Sequence, residues 1–309
     1  MSEVVAAAVS RVVARRLAEF VDRAAEIDLY CEVLDRGDPP IMVVFADTGM
    51  GKTSLLLRMV HECAQRKLRK AEVWWTDTLV YDYMAVLRKL RDDLGVDHFG
   101  AFTDLINYYT DTNYQPRLDI NINLQGSVQV AGGAQISGSS VRDIAGVVVR
   151  DNMIVVQRPD IAVPLEVRRE QLTRRFLDAL RELSSRECVV LFFDAVEKMS
   201  DITNQWLWEQ LLPPVRDGVL PNVRAVLCGQ RRPPEERDWT DFLAFAELKP
   251  LGLDDIDAYI AKRTAGRMLM SDETRQALAK MLAVVTRGRP ADVASSVDLY
   301  LAPSRSQGA

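Results

Sequence analysis

Lys52 and Thr53 directly follow a glycine in the stretch FADTGMGKTS, residues 45–54, and that trio is what phosphate chemistry requires. A phosphate is held where successive backbone N–H groups converge at a helix N-terminus. Gly51 lets the backbone approach the ligand, and Gly49 adds freedom beside it. Lys52 brings a positive charge to the β- and γ-phosphates, and the Thr53 hydroxyl can ligate magnesium. The usual pattern is G-x-x-x-x-G-K-S/T, and this chain departs from it once, with Ala46 at the first glycine position. Alanine there needs only a compatible φ, which many turns allow. Ala46, Asp47, Thr48, Gly49, Met50, Gly51, Lys52, Thr53 and Ser54 are therefore the candidate cradle for ATP or ADP. The competing reading, a glycine-rich turn between strand and helix, leaves the Lys-Thr pair without a role.

A phosphate cradle needs an acid at the end of a neighbouring buried strand. VVLFFDAVEK supplies Asp194, placed to hold magnesium directly or through water. Three residues on, Glu197 is near enough to orient or deprotonate an attacking water; the plainer alternative is a solvated carboxylate favouring a helix dipole. VLCGQRRP places polar side chains at the end of another buried strand, where open α/β sheets bind ligands, so Arg231 or Arg232 is the candidate γ-phosphate sensor.

These residues need a scaffold, and the apolar patterning predicts one. IMVVF (41–45), EVWWT (72–76), CVVLFFD (188–194), VRAVLCG (223–229) and FAELKPL (245–251) are short apolar runs suited to strands of a parallel sheet. SLLLRMVHECAQRK, LVYDYMAVLRKLRDDLG with Gly95 as its stop, REQLTRRFLDALRELSSR and ITNQWLWEQLLPPVRDG have helical spacing. Pro213 and Pro214 must break or kink the last of these. Strand and helix alternate, which predicts an α/β fold. The final 60 or so residues change to helices alone: LDDIDAYIAKR, SDETRQALAKMLAVVTRG with Ser271 or Asp272 as N-cap and Gly288 as stop, and PADVASSVDLYLA. One segment breaks the rhythm. Residues 116–160 alternate apolar and polar (Ile120, Ile122, Leu124; Val128, Val130) between glycines, predicting short strands and tight turns. A solvent-exposed hairpin insertion is the plain reading, and a partner-binding or self-association surface the functional one.

Bulk properties narrow the function. The chain has 309 residues, 48% hydrophobic and 27% charged, the balance of a globular protein. A net charge of −5 argues against a broad nucleic-acid footprint. No apolar run reaches the roughly 18 residues needed to span a bilayer, so neither nucleic acid nor membrane is an expected partner. At the N-terminus Glu3 and interspersed arginines do not fit a secretory leader. Val5, Val9, Val12 and Val13 recur at helical spacing, as in an amphipathic helix of a cytoplasmic protein. Cys31, Cys63, Cys188 and Cys228 form no C-x-x-C pair, and with only His61 and His98 for company no zinc site is expected.

Taken together the motifs resemble the STAND class of P-loop NTPases, signal-transduction relatives of the AAA+ ATPases that include NACHT and NB-ARC proteins. FVDRAAEIDLY (20–30) is similar to the F-V-G-R-E-x-E-L segment of those proteins, so Val21 and Arg23 are implied nucleotide contacts, with Asp22 replacing the glycine. FFDAVEK resembles their D-x-x-D/E strand end, with Glu197 as the second acid. AELKPLGLDDIDAYIAKR resembles the L-x-P-L entry to their helical lid. TRGRPADV is similar to the lid's G-x-P motif, which implies that Pro290 packs against adenine. Lys198 stands where NACHT proteins often carry a further acid, a departure that bears on hydrolysis. The likeness covers roughly residues 18–300 without the insert. It implies a five-stranded parallel sheet in the order 5-1-4-3-2 and three regions: an N-terminal segment 1–37, a core 38–250 interrupted by 116–160, and a lid 251–309.

The implied function is an ATPase switch with magnesium and ATP or ADP, hydrolysing slowly, whose exchange of ADP for ATP permits self-association and signalling to a separate effector or sensor protein, in bacteria often in defence. Such proteins usually continue into a winged helix and a repeat array, so this chain is expected to be a minimal switch or a piece of a longer one. Two alternatives belong to other classes: a non-hydrolysing adaptor acting through its β-insert, and a DNA-linked AAA+ ATPase of the origin-recognition type, which shares the F-V-G-R-E start.

Overall fold

The computed structural model describes residues 13–75, 82–110, 128–129, 135–136, 147–150, 153–156, 164–233, 237–265 and 270–302. The chain divides into two compact units, Met1–His98 with Leu177–Ala309, and Phe99–Phe176.

In the first unit a helical stretch at 13–18 leads to α1 (Ala24–Arg36), β1 (Ile41–Phe45), α2 (Lys52–Gln65), β2 (Arg69–Trp74) and α3 (Tyr83–Leu94). The strands β3 (Val189–Asp194), β4 (Val223–Gly229) and β5 (Leu243–Glu247) complete one parallel sheet. Its order is β2-β3-β4-β1-β5, the predicted 5-1-4-3-2. The central strands β3 and β4 are buried along their whole length, which is why both read as unbroken apolar runs. Helices α1 and α2 pack one face of the sheet through Tyr30, Val33, Leu55, Leu56 and Met59 against Met42, Val44, Phe192 and Val226. Each of those side chains contributes about 1.5–3 kcal/mol on burial.

The edge strands differ from expectation. β2 begins at Arg69, three residues before the predicted start, because an edge strand buries one face only. Ala71 and Val73 point inward, while Arg69 pairs with Glu187 at 2.7 Å and Lys70 with Glu72. β5 likewise starts at Leu243 and stops at Glu247, short of Pro250, which has no N–H to give a ladder. Asp82 caps α3 by accepting from the Ala85 N–H at 2.7 Å, and Gly95 ends the helix with φ 101°. The predicted break before Pro213 takes the form of a π-turn, Leu207–Leu211, after the short helix Asp201–Trp206.

The unit's last three helices are Leu253–Thr264, Asp272–Thr286 and Pro290–Leu301, here called the lid helices A, B and C. They share a separate small core of Ile256, Ile260, Leu278, Leu282, Val293 and Val297. Ser271 caps helix B by accepting from the Thr274 N–H at 3.2 Å.

The 3-10 turn Val96–Phe99 precedes the second unit's helix Gly100–Thr110, and the periodicity announced neither. Phe176, within the helix Leu165–Ser184, stacks on Phe99 with ring centroids 5.0 Å apart and meets Phe102 edge-on at 5.4 Å. Two antiparallel hairpins are described, Val128–Gln129 with Gln135–Ile136 and Val147–Arg150 with Met153–Val156. The predicted alternation at Ile120, Ile122 and Leu124, the insert's glycines and residues 1–12 of the predicted N-terminal helix lie outside the described residues. No helix among the described residues is long and apolar enough to cross a membrane.

Candidate functional site

The loop 46–51 joins β1 to α2, and its shape follows from two glycines. Gly49 and Gly51 have φ of 86° and 89°, a region that side-chained residues rarely occupy. Ala46 is outside the positive-φ set and buried, its N–H donating to the Gly229 carbonyl at 3.3 Å. The first position therefore demands no glycine, which answers the one departure from the pattern. Lys52 opens α2 and is 9% exposed. Its ammonium donates to the carbonyls of Ala46 at 2.6 Å and Asp47 at 3.0 Å, so the charge is held over the loop.

Asp194 ends β3 two strands away and is 6% exposed. The Thr53 hydroxyl donates to its Oδ2 at 2.8 Å, which joins the loop to the acidic strand end. The loop, its lysine and the acidic strand end have the arrangement of a P-loop. Burial pushes the Asp194 carboxyl above its ordinary value, and bonds from Thr53 and the Ala195 N–H draw it partly back. A buried carboxylate beside a hydroxyl is a hard-oxygen pair suited to magnesium, and Lys52 is suited to phosphate, so these residues fit a magnesium nucleotide. Among the described residues there is no cluster of three or more His, Cys, Asp or Glu side chains able to hold a metal.

Beyond Asp194 the chain turns sharply. Ala195 has φ 56° and the 3-10 turn Val196–Lys198 follows, which brings Glu197 to the wall of the P-loop cavity. The neighbouring strand end is close-packed: a Cβ on Gly229 would stand 2.8 Å from Val196 Cγ2 and 3.7 Å from Glu197 Oε2. Gln230 lines the cavity next to it. Arg231 is exposed and is not among the lining residues, and the Arg232 guanidinium lies over the Phe245 ring, 4.0 Å from its centroid. Nothing in the motif sets Gln230 apart from the two arginines that follow it; its position directly after a buried strand was the available signal.

The segment before the loop and the lid close the cavity, which is about 780 Å³, within the usual range for a ligand site. Val21 and Arg23 both line it. Asp22 and Arg23 have φ of 59° and 73°, the left-handed region that favours glycine and that Asp tolerates better than most side chains. Arg23 is 5% exposed and donates to the Met50 carbonyl at 3.3 Å and the Lys249 carbonyl at 2.7 Å. Pro290, the first residue of lid helix C, lies against Gly51, where a Cβ would be 3.9 Å from its ring. Two further contacts fasten the lid to the P-loop. Arg289 donates to the Thr48 carbonyl through Nε at 3.1 Å and Nη2 at 2.7 Å, and the Ala291 N–H donates to the Gly49 carbonyl at 3.0 Å. Of the predicted residues, Thr48 through Ser54, Val21, Arg23, Asp194, Glu197 and Pro290 meet around one cavity; Ala46 and Asp47 act through their carbonyls on Lys52.

No protein-family model and no curated protein matches the sequence. Among solved structures the chain is similar to the STAND protein with a tetratricopeptide repeat sensor from Pyrococcus horikoshii, at 14% identity and TM-score 0.45, over 92% of this chain and 30% of that one. It is similar as well to Cdc6p from Pyrobaculum aerophilum, at 14% identity and TM-score 0.46, over 91% of this chain and 62% of that one. A third is AMPPCP-bound DnaA from Aquifex aeolicus, at 11% identity and TM-score 0.44, over 92% and 63%. The chain thus spans under a third of the STAND protein's length and about three fifths of the other two.

Proposed function

We propose that the chain is an ATP-binding and slowly ATP-hydrolysing switch of the STAND type, whose nucleotide state governs self-association and signalling to a separate effector. The observation that carries this reading is the convergence of Lys52, the Thr53–Asp194 pair and the lid residues Arg289 and Pro290 on one loop. Loop N–H groups and Lys52 hold the phosphates, and the apolar wall of Val21, Leu251 and Val293 receives the base. Thr53 and Asp194 would hold magnesium, which neutralises charge on the phosphate oxygens. Glu197 orients a water and takes its proton. Lys198, in place of a further acid, keeps that step slow. Lid contacts with Thr48 and Gly49 give the loop a mechanical link to helix C, so the same backbone that meets phosphate also meets the lid. A role in bacterial defence follows only by analogy with the STAND class.

Lys52→Ala tests the reading. A charge-assisted contact to phosphate is worth about 2–3 kcal/mol, so the Kd for ATP measured by calorimetry should rise roughly 30- to 150-fold. An unchanged Kd in that variant would sink the proposal.

A further inference from the structure

The end of the cavity away from the P-loop carries polar groups whose hydrogen-bonding capacity is half used. Helix C starts at Pro290 against Gly51. Val293 and Ala294 line the cavity one turn on, and Asp298 lines it two turns on, about 12 Å along the axis at 1.5 Å per residue. Glu19 and Tyr259 line the cavity too, and the two carboxylates are set by one buried cation. Arg263, its side chain 3% exposed, donates Nη1 to Glu19 Oε1 at 2.7 Å and Nη2 to Asp298 Oδ1. Arg15 adds a bond to the same Glu19 oxygen at 2.9 Å. Glu19 Oε2, Asp298 Oδ2 and the Tyr259 hydroxyl have no hydrogen bond to any described residue. Burial, reinforced by the negative charge of Glu19 and Asp298, pushes the Tyr259 hydroxyl up, so it stays a donor at neutral pH. Two anchored acceptors and one donor therefore line one cavity, together with Arg15 and Arg16.

We propose that Glu19, Tyr259 and Asp298 are the base-reading residues of the site, selecting a purine that presents an exocyclic amino group beside an unprotonated ring nitrogen, as adenine does. The inference rests on the nucleotide reading above. Carboxylate oxygens accept from the amino group and the phenol donates to the ring nitrogen. Hypoxanthine and guanine present a carbonyl and a ring N–H at the same edge, so a carbonyl oxygen would face a carboxylate. Polar mismatches of this kind discriminate far better than shape does.

The test is calorimetric titration of magnesium ATP, ITP and GTP into the full chain. ATP should bind at least about tenfold more tightly than ITP or GTP, the effect of one mismatched polar pair. Asp298→Asn keeps an oxygen for Arg263 and turns an N–H toward the base, so the ATP-to-ITP ratio should fall severalfold. Tyr259→Phe keeps the ring and should weaken ATP severalfold while leaving ITP nearly unchanged. Equal binding of ATP and ITP by the wild type, or a ratio unmoved by both substitutions, overturns the inference and leaves the P-loop reading standing. Absence of binding by all three nucleotides overturns both.

Discussion

Asp194→Asn should make the protein more stable and less able to hold magnesium nucleotide, and the structure gives the size of the first effect. Asp194 is 6% exposed and is served by the Thr53 hydroxyl at 2.8 Å and the Ala195 N–H. Taking a carboxylate out of water costs several kcal/mol after relaxation. Two charge-assisted bonds return about 1.5–3 kcal/mol each. The direction of the pKa, raised mainly by burial, shows that desolvation prevails. A net penalty of about 1 kcal/mol is the scale expected of a functional carboxylate held in place by its surroundings. Asparagine is the same size, carries no charge and can still accept from Thr53, so the melting temperature should rise by roughly 1–2 °C at neutral pH. The pH dependence has a definite sign. A folded-state pKa above the unfolded one means the penalty is absent below the ordinary carboxyl value of 3.8, grows as pH rises through the folded pKa, and is complete above it. The gain from asparagine should therefore be full near pH 7.5 and shrink toward pH 4. Thermal unfolding of both proteins across that range, without nucleotide, measures it; calorimetry with ATP and magnesium measures the loss of metal-dependent affinity. A variant that is less stable at pH 7.5, or a gain that persists unchanged at pH 4, would refute the reasoning.

Two further substitutions address chemistry and the lid. Glu197→Gln should slow single-turnover hydrolysis by roughly 10²–10⁴-fold with ATP affinity within a few fold of wild type; a rate that does not change assigns Glu197 to the solvated surface. Arg289→Ala removes both bonds to the Thr48 carbonyl, worth about 1 kcal/mol in total at an exposed site, so nucleotide should dissociate roughly fivefold faster in stopped-flow fluorescence. An unaltered dissociation rate would mean that the lid does not retain the ligand.

The parts legible in the sequence were those fixed by local physics. The runs VVLFFD and VRAVLCG declared central strands because both of their faces are buried, and Gly49 and Gly51 declared a loop only glycine tolerates twice. The edge strand at Arg69 stayed hidden, since Arg69, Lys70 and Glu72 look like surface chain until Glu187 is placed beside Arg69. The helix Gly100–Thr110 stayed hidden because it lacks an N-cap signal and its buried contacts, Phe102 against Phe176, span more than 70 positions. In the site, Lys52, Thr53 and Asp194 were readable from pattern. Arg289 and Arg263 were not, because their partners are a loop carbonyl and a residue near the N-terminus, some 240 positions away in each case. Arginine takes its role from what it reaches, and nothing local encodes that.

The lid fastenings also bear on how a switch of this kind would open. Helix C is tied to the P-loop by Arg289 on Thr48 and Ala291 on Gly49, while Arg23 ties the P-loop to Lys249 ahead of the lid. At about 1 kcal/mol net for each of these ties, the closed arrangement is favoured by roughly 3 kcal/mol, a ratio on the order of 100 to 1. Inverting such an equilibrium fully takes about 5.5 kcal/mol of differential binding. Coupling between sites commonly supplies 1–3 kcal/mol. Exchange of ADP for ATP would therefore bring open and closed forms near balance without completing the change, and contacts with a second chain or an effector must supply the remainder. Light scattering with ATP should accordingly show a mass that climbs with protein concentration, and Arg289→Ala should shift that curve to lower concentration. Full assembly at nanomolar protein with ATP alone would contradict this account, as would a purely monomeric wild type whose Arg289→Ala variant is monomeric too.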